Sequence, residues 1–132
     1  MDWIYRGRKV TSVEDVPPTA VGFIYVMTVP ATGHKYVGKK FLYGYQNKTL
    51  PGKVRKLKVV KDSNWLKYYS SNEQLVDLHR MGEPIDREII EYAYTKAELT
   101  YLECRYMFMW DVIRDPLYLN SNILGKFYRG RV

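Results

Sequence analysis

The chain is 132 residues long, one ordinary domain's length, and carries 21 lysines and arginines against 14 aspartates and glutamates. Its single cysteine, Cys104, excludes an intramolecular disulfide and a multi-cysteine zinc site, so the fold must rest on its core and hydrogen bonds, as suits a reducing cytoplasm. No stretch approaches the ~18 apolar residues of a membrane span and no apolar signal run opens the chain, so the expectation is a soluble cytoplasmic protein without a membrane partner.

The positive surplus is local. Residues 35–67 hold ten basic side chains against Asp62 alone, net +9, which leaves the remainder at −2. That asymmetry points to a polyanion partner, with a solvated basic loop as the plain alternative.

In chain order, residues 1–20 end in V-P-P-T-A and read as a lead-in segment outside the core, ahead of a single domain over 21–132. V-G-F-I-Y-V-M-T-V is dense in β-branched and aromatic residues, Pro30 to Gly33 form a turn, and H-K-Y-V-G-K-K resumes the extended pattern, which predicts a hairpin. Residues 41–63, with Gly44, Pro51 and Gly52, read as a long basic loop or an excursion holding a short strand. After the aromatic cluster S-N-W-L-K-Y-Y, Ser71 with Gln74 forms a capping box for a short helix that Gly82 stops. Pro84 leads into a third strand, I-D-R-E-I-I-E-Y-A. Thr95 with Glu98 then caps a longer helix that should end before Pro116, with Leu99, Leu102, Tyr106, Trp110 and Ile113 on its buried face. The order is β-β-α-β-α, an α+β domain.

Glu103 is the polar residue out of place. Four residues after Leu99 and three before Tyr106, it borders the apolar face, where a carboxylate must reach the rim, pair with a cation or bind a metal. Cys104 reads as a packing residue, and His34 and His79 have no partner at metal spacing. Lys39 and Lys40, close to Tyr36 along the chain, and Arg55, were its loop to fold back, are cations of the kind that lower the pKa of phenols such as Tyr25 and Tyr36.

F-I-Y at 23–25 and Y-V-G at 36–38, on adjacent strands, resemble the paired signature of the GIY-YIG nuclease superfamily. The similarity continues in Y-L-E-C-R-Y-M around Glu103 and in L-Y-L-N, whose Asn120 lies 17 residues further on. It is greatest to small phage-encoded Seg-like members. The resemblance implies a three-stranded antiparallel sheet flanked by helices, with Glu103 facing the two tyrosines and one magnesium or manganese ion per active site bound at Glu103. It implies a DNA endonuclease leaving 5′-phosphate and 3′-hydroxyl ends, acting on duplex DNA as monomer or homodimer. Tyr25 would take or relay the proton of the attacking water, Tyr36 would orient water or phosphate, and Lys39 would stabilise phosphate charge. Asn120 would hold the first tyrosine or nearby backbone, with Asn122 as the fallback.

One position departs from the family pattern. In the best register Asn64 stands where members carry a catalytic arginine and Tyr68 where they carry a histidine, so Arg55, or else Lys56 or Lys61, would have to supply the charge. Lys40, Lys48, Lys53, Lys56, Lys58 and Lys61 would grip the DNA backbone, and Trp65 and Tyr68 would stack on bases or wedge a duplex. A catalytically degenerate nucleic-acid-binding protein using the same basic loop is the alternative function.

Overall fold

The computed structural model describes residues 1–49 and 56–132, with 45–49 and 56–61 in backbone only. Strands β1 (Trp3–Tyr5), β2 (Arg8–Val10), β3 (Gly22–Thr28), β4 (Lys35–Phe41), β5 (Tyr43–Thr49) and β6 (Lys56–Asp62) precede helix α1 (Glu73–Arg80). Strand β7 (Asp86–Ala93), helix α2 (Lys96–Met109) and the short strands β8 (Asn122–Ile123) and β9 (Phe127–Tyr128) complete the chain.

Five strands form the main sheet in the order β2-β1-β7-β3-β4. The three strands read from sequence are its β7-β3-β4 half, all antiparallel. The expected three-stranded sheet is therefore too small, and the sheet is mixed, because β1 adds to β7 in parallel. Residues 1–20 are correspondingly more than a lead-in. Trp3 is fully buried, and its indole donates to the Trp65 carbonyl at 2.8 Å. Arg6 (φ 49°) and Gly7 (φ 79°) both take the left-handed conformation that a two-residue hairpin requires between Tyr5 and Arg8.

Strand β3, inside the sheet between β7 and β4, is apolar on both sides because both sheet faces are covered. Phe23, Tyr25 and Met27 join Trp3, Trp65, Leu75, Ile89 and Tyr92 in one core; Ile24, Val26 and Val37 join Leu99, Leu102, Val112 and Ile113 in the other. Helix α1 thus lies on the aromatic face and α2 on the aliphatic face. Helix α2 starts as the capping residues predict: the Thr95 hydroxyl accepts from the Glu98 amide, and the Glu98 carboxylate accepts from the Tyr94 amide. It ends at Met109, short of Pro116, with Asp111 in a left-handed turn at φ 51°. Helix α1 is capped by Asn72 rather than Ser71, the Asn72 side chain accepting from the Leu75 amide at 3.1 Å. Gly82, at φ 82°, follows its end.

Segment 41–63 is not a loop with one short strand. β5 and β6 pair antiparallel from Tyr43 opposite Asp62 to Thr49 opposite Lys56, a two-stranded ribbon separate from the main sheet. Arg55 and Lys53 lie outside the described residues, and nothing is said of the side chains of Lys48, Lys56, Lys58 and Lys61.

Candidate active site

Strand β4 is one of the two outer strands of the sheet, and its alternation sorts the signature residues onto two faces. Tyr36, Gly38 and Lys40 share the aromatic face with Tyr25, which pairs directly with Gly38. Gly38 is there because no larger residue fits: a Cβ at this position would stand 2.4 Å from the Tyr25 hydroxyl. Tyr25 is 1% exposed, its ring centroid 6.3 Å from that of Tyr36 and 5.8 Å from that of Tyr68. Its hydroxyl donates to Ser70 Oγ at 3.3 Å, and that same Oγ accepts from the Asn72 amide. Ser70 is buried and held at φ 77°, strain of the kind that collects at working sites.

Burial drives the Tyr25 phenol well above its ordinary pKa, with Tyr68 adding to the effect. Tyr36 is also raised, chiefly by burial, against an opposing hydrogen bond with Ser71. The expectation that neighbouring lysines would lower these values is therefore wrong for the free protein. The reason is placement. Lys39 points to the opposite face and donates to Thr100 Oγ1 at 3.0 Å, while Lys40 donates to Asn64 Oδ1 at 3.0 Å with its ammonium 4.3 Å from the Tyr68 ring centroid. Burial pulls the Lys40 ammonium down in turn.

Glu103 extends from α2, on the aliphatic side. It is half-buried, and desolvation raises its carboxyl, opposed by the Lys39 ammonium and the Lys39 main chain. Its charge is felt by Tyr36, and the two side chains line one open cleft of about 730 Å³ with Ser71, Glu73, Asn120 and Asn122. Glu103 thus meets Tyr36 at the outer strand of the sheet, whereas Tyr25 lies beneath, in the core.

Asn120 supports that strand. Only 2% exposed, it accepts from the Val37 amide at 3.0 Å and donates to the Val37 carbonyl at 2.8 Å. Its partner is backbone beside Tyr36, not Tyr25. The neighbouring chain continues the pairing, Lys35 donating to the Leu117 carbonyl and Leu119 to the Lys35 carbonyl. Asn122 has a local task, accepting from the Gly125 amide.

Trp65 is fully buried beneath Phe23, so it cannot stack on a base; Tyr68 is half-buried against the core. Asn64 and Tyr68 flank a short 3-10 turn, Trp65–Lys67, rather than one turn of an α-helix. Lys40 brings a cation to this corner, through its bond to Asn64 and its contact with the Tyr68 ring. Sequence reasoning missed Ser70, Ser71 and Glu73 as parts of the site. It also missed Arg87, whose buried guanidinium donates to the carbonyls of Met1, Leu66 and Tyr68 and packs over the rings of Trp3 and Tyr69. No local motif marks such a residue, because an arginine in sequence reads as a surface charge.

Residues 3–123 match the family model described as "Putative endonuclease segE, GIY-YIG domain". The chain belongs to the GIY-YIG family and carries a nuclease-type domain. No curated protein and no solved structure matches it significantly.

Proposed function

We propose that this protein is a divalent-metal-dependent DNA endonuclease of the small Seg-like type, with its active site in the cleft at the outer strand β4. The observation that carries the reading is the convergence of Glu103, Tyr36 and the Asn120-braced strand on one open, polar cleft, in a chain whose family is one of nucleases. The donor set fits magnesium or manganese. Among the described residues no cluster of three or more histidine, cysteine or acidic side chains is present, and a cleft with so few carboxylates suits an ion that keeps several waters and shares substrate phosphate oxygens. Glu103 would hold it, with Glu73 lining the same cleft. When bound, the metal supplies Lewis-acid stabilisation of the phosphate and the leaving 3′ oxygen.

The protein's own residues do the rest. Tyr36, protonated at neutral pH, donates a hydrogen bond that orients the attacking water or a phosphate oxygen. Lys39, which sits beside Glu103, would exchange its bond to Thr100 for the scissile phosphate and stabilise the charge developing there. Tyr25, also protonated, serves as a buried donor that sets Ser70 and the start of α1 rather than as a base with a lowered pKa. Lys40 and the basic ribbon grip the DNA backbone through contacts indifferent to sequence.

A degenerate nucleic-acid-binding protein is the second reading, favoured by Asn64 at the position of the family arginine and by two tyrosines held in their neutral form. Supercoiled plasmid incubated with the protein in magnesium, in manganese and in EDTA separates the two. The endonuclease reading expects nicked or linear product with either metal and none in EDTA; intact plasmid throughout, with a salt-sensitive gel shift, would support the binding protein.

A further inference from the structure

We infer that Arg129, beyond the end of the family match, is a positioning residue for the cleft: it locks the segment bearing Asn120 and thereby fixes the part of β4 that carries Tyr36 and Lys39. This rests on the proposed nuclease reading for its kinetic consequences only.

The geometry is a guanidinium claw. Arg129 Nε donates to the Asn120 carbonyl at 3.0 Å, Nη1 to the Asp115 carbonyl at 3.0 Å, and Nη2 to the carbonyls of Tyr118 and Val112. Its backbone amide donates to the Ser121 carbonyl at 2.9 Å. Among the described residues no carboxylate pairs with it. Four carbonyls converging from one connection need a planar fork with several donors, which an ammonium on a flexible stem does not offer. The chain of contacts then runs straight to the site. Asn120, held through its own carbonyl, turns its side-chain amide onto both main-chain groups of Val37, between Tyr36 and Gly38. The short β8–β9 pairing, Asn122 opposite Tyr128, delivers Arg129 to this place. Leu119 to Asn122, the stretch being clamped, line the cleft together with Ser71 and Glu73. The tail after residue 123 is therefore part of the working unit.

The test uses the full chain with Arg129→Gln and, as a milder change that keeps the charge, Arg129→Lys. Amide hydrogen exchange is read at Val37 against Met27 and Ile89 in the central strands, and plasmid nicking is resolved into kcat and KM. Both variants should exchange Val37 about ten-fold faster with Met27 and Ile89 unchanged, since opening is local. Both should also lose roughly 10- to 100-fold in kcat with KM within about two-fold, as expected for misplacement near an ångström. Unchanged Val37 exchange in both variants would overturn the inference, as would a uniform loss of protection across all three strands, which marks a global folding role. If the parent protein cuts nothing, the nuclease reading fails, and the exchange pattern alone decides whether Arg129 holds Val37.

Discussion

Gly38 and Tyr25 show how a two-residue fragment of a signature follows from packing. A Cβ at Gly38 would press on the Tyr25 hydroxyl at 2.4 Å and on the ring carbon bearing it at 2.5 Å. Gly38→Ala should therefore cost about 1–3 kcal/mol in denaturant titration, and combining it with Tyr25→Leu should cost measurably less than the sum of the single changes, because the two side chains compete for one space. Strict additivity would remove this explanation of the glycine. Glu103 presents the opposite case, a residue kept at some cost to the fold. Burial raises its carboxyl above the ordinary range, so the folded protein binds that proton more tightly than the unfolded chain does. The associated stability is present at low pH and is lost as pH rises through the raised value. Glu103→Gln should accordingly melt at a higher temperature than the parent at pH 7, with the difference vanishing toward pH 4; a lower Tm at pH 7 would contradict the sign. That Tyr36 and Glu103 share a cleft was legible from short motifs; that Tyr25 lies beneath it, in the core, was not. Their protonation was not legible either, because it depends on which neighbours desolvate them and on Lys39 turning to Thr100 while Asn64 and the Tyr68 ring take up Lys40.

The hairpin β3–β4, strand β7 and the start of α2 were legible because their signals are local: β-branched runs, a Pro/Gly turn, and a threonine three residues before a glutamate. Strands β1 and β2 were not. Their turn is Arg6-Gly7 rather than a familiar asparagine-glycine pair, and β1 finds its partner β7 some eighty residues downstream, a pairing that no local window contains. The cap of α1 slipped by one residue because Ser71 and Asn72 are both competent caps, and Asn72 takes the role while Ser71 turns to Tyr36. Arg87 ties these elements together: its guanidinium holds the first residue of the chain and the segment around Tyr68 to β7. Arg87→Leu would leave three carbonyls without that donor. Its denaturation midpoint should fall by the equivalent of roughly 2–4 kcal/mol, with the near-ultraviolet signal of the Trp3 and Trp65 environment weakened. A change within about 0.5 kcal/mol would show that β1 docks by apolar packing alone.

Across the whole molecule, the surplus of 21 basic over 14 acidic side chains is concentrated between residues 35 and 67, on β4, the β5–β6 ribbon and their surroundings. The cleft and the cationic ribbon are thus joined in sequence by Leu42 alone, between β4 and β5, which suits a polyanion gripped by one and cut at the other. Affinity for duplex DNA should fall steeply with salt, with a log–log slope of roughly −3 to −6 if several phosphates are neutralised; a slope near zero would separate the ribbon from binding. Within the proposed function, Glu103 in the cleft beside β4 is where phosphodiester bonds are broken. The most direct measurement compares DNA cleavage and DNA binding by the parent and Glu103→Gln side by side in magnesium. Cleavage should fall roughly 100-fold or more, the loss of several kcal/mol of transition-state stabilisation, while affinity holds or rises because a negative charge has left the site. Undiminished cleavage by Glu103→Gln would rule out this carboxylate and place the chemistry elsewhere in the chain.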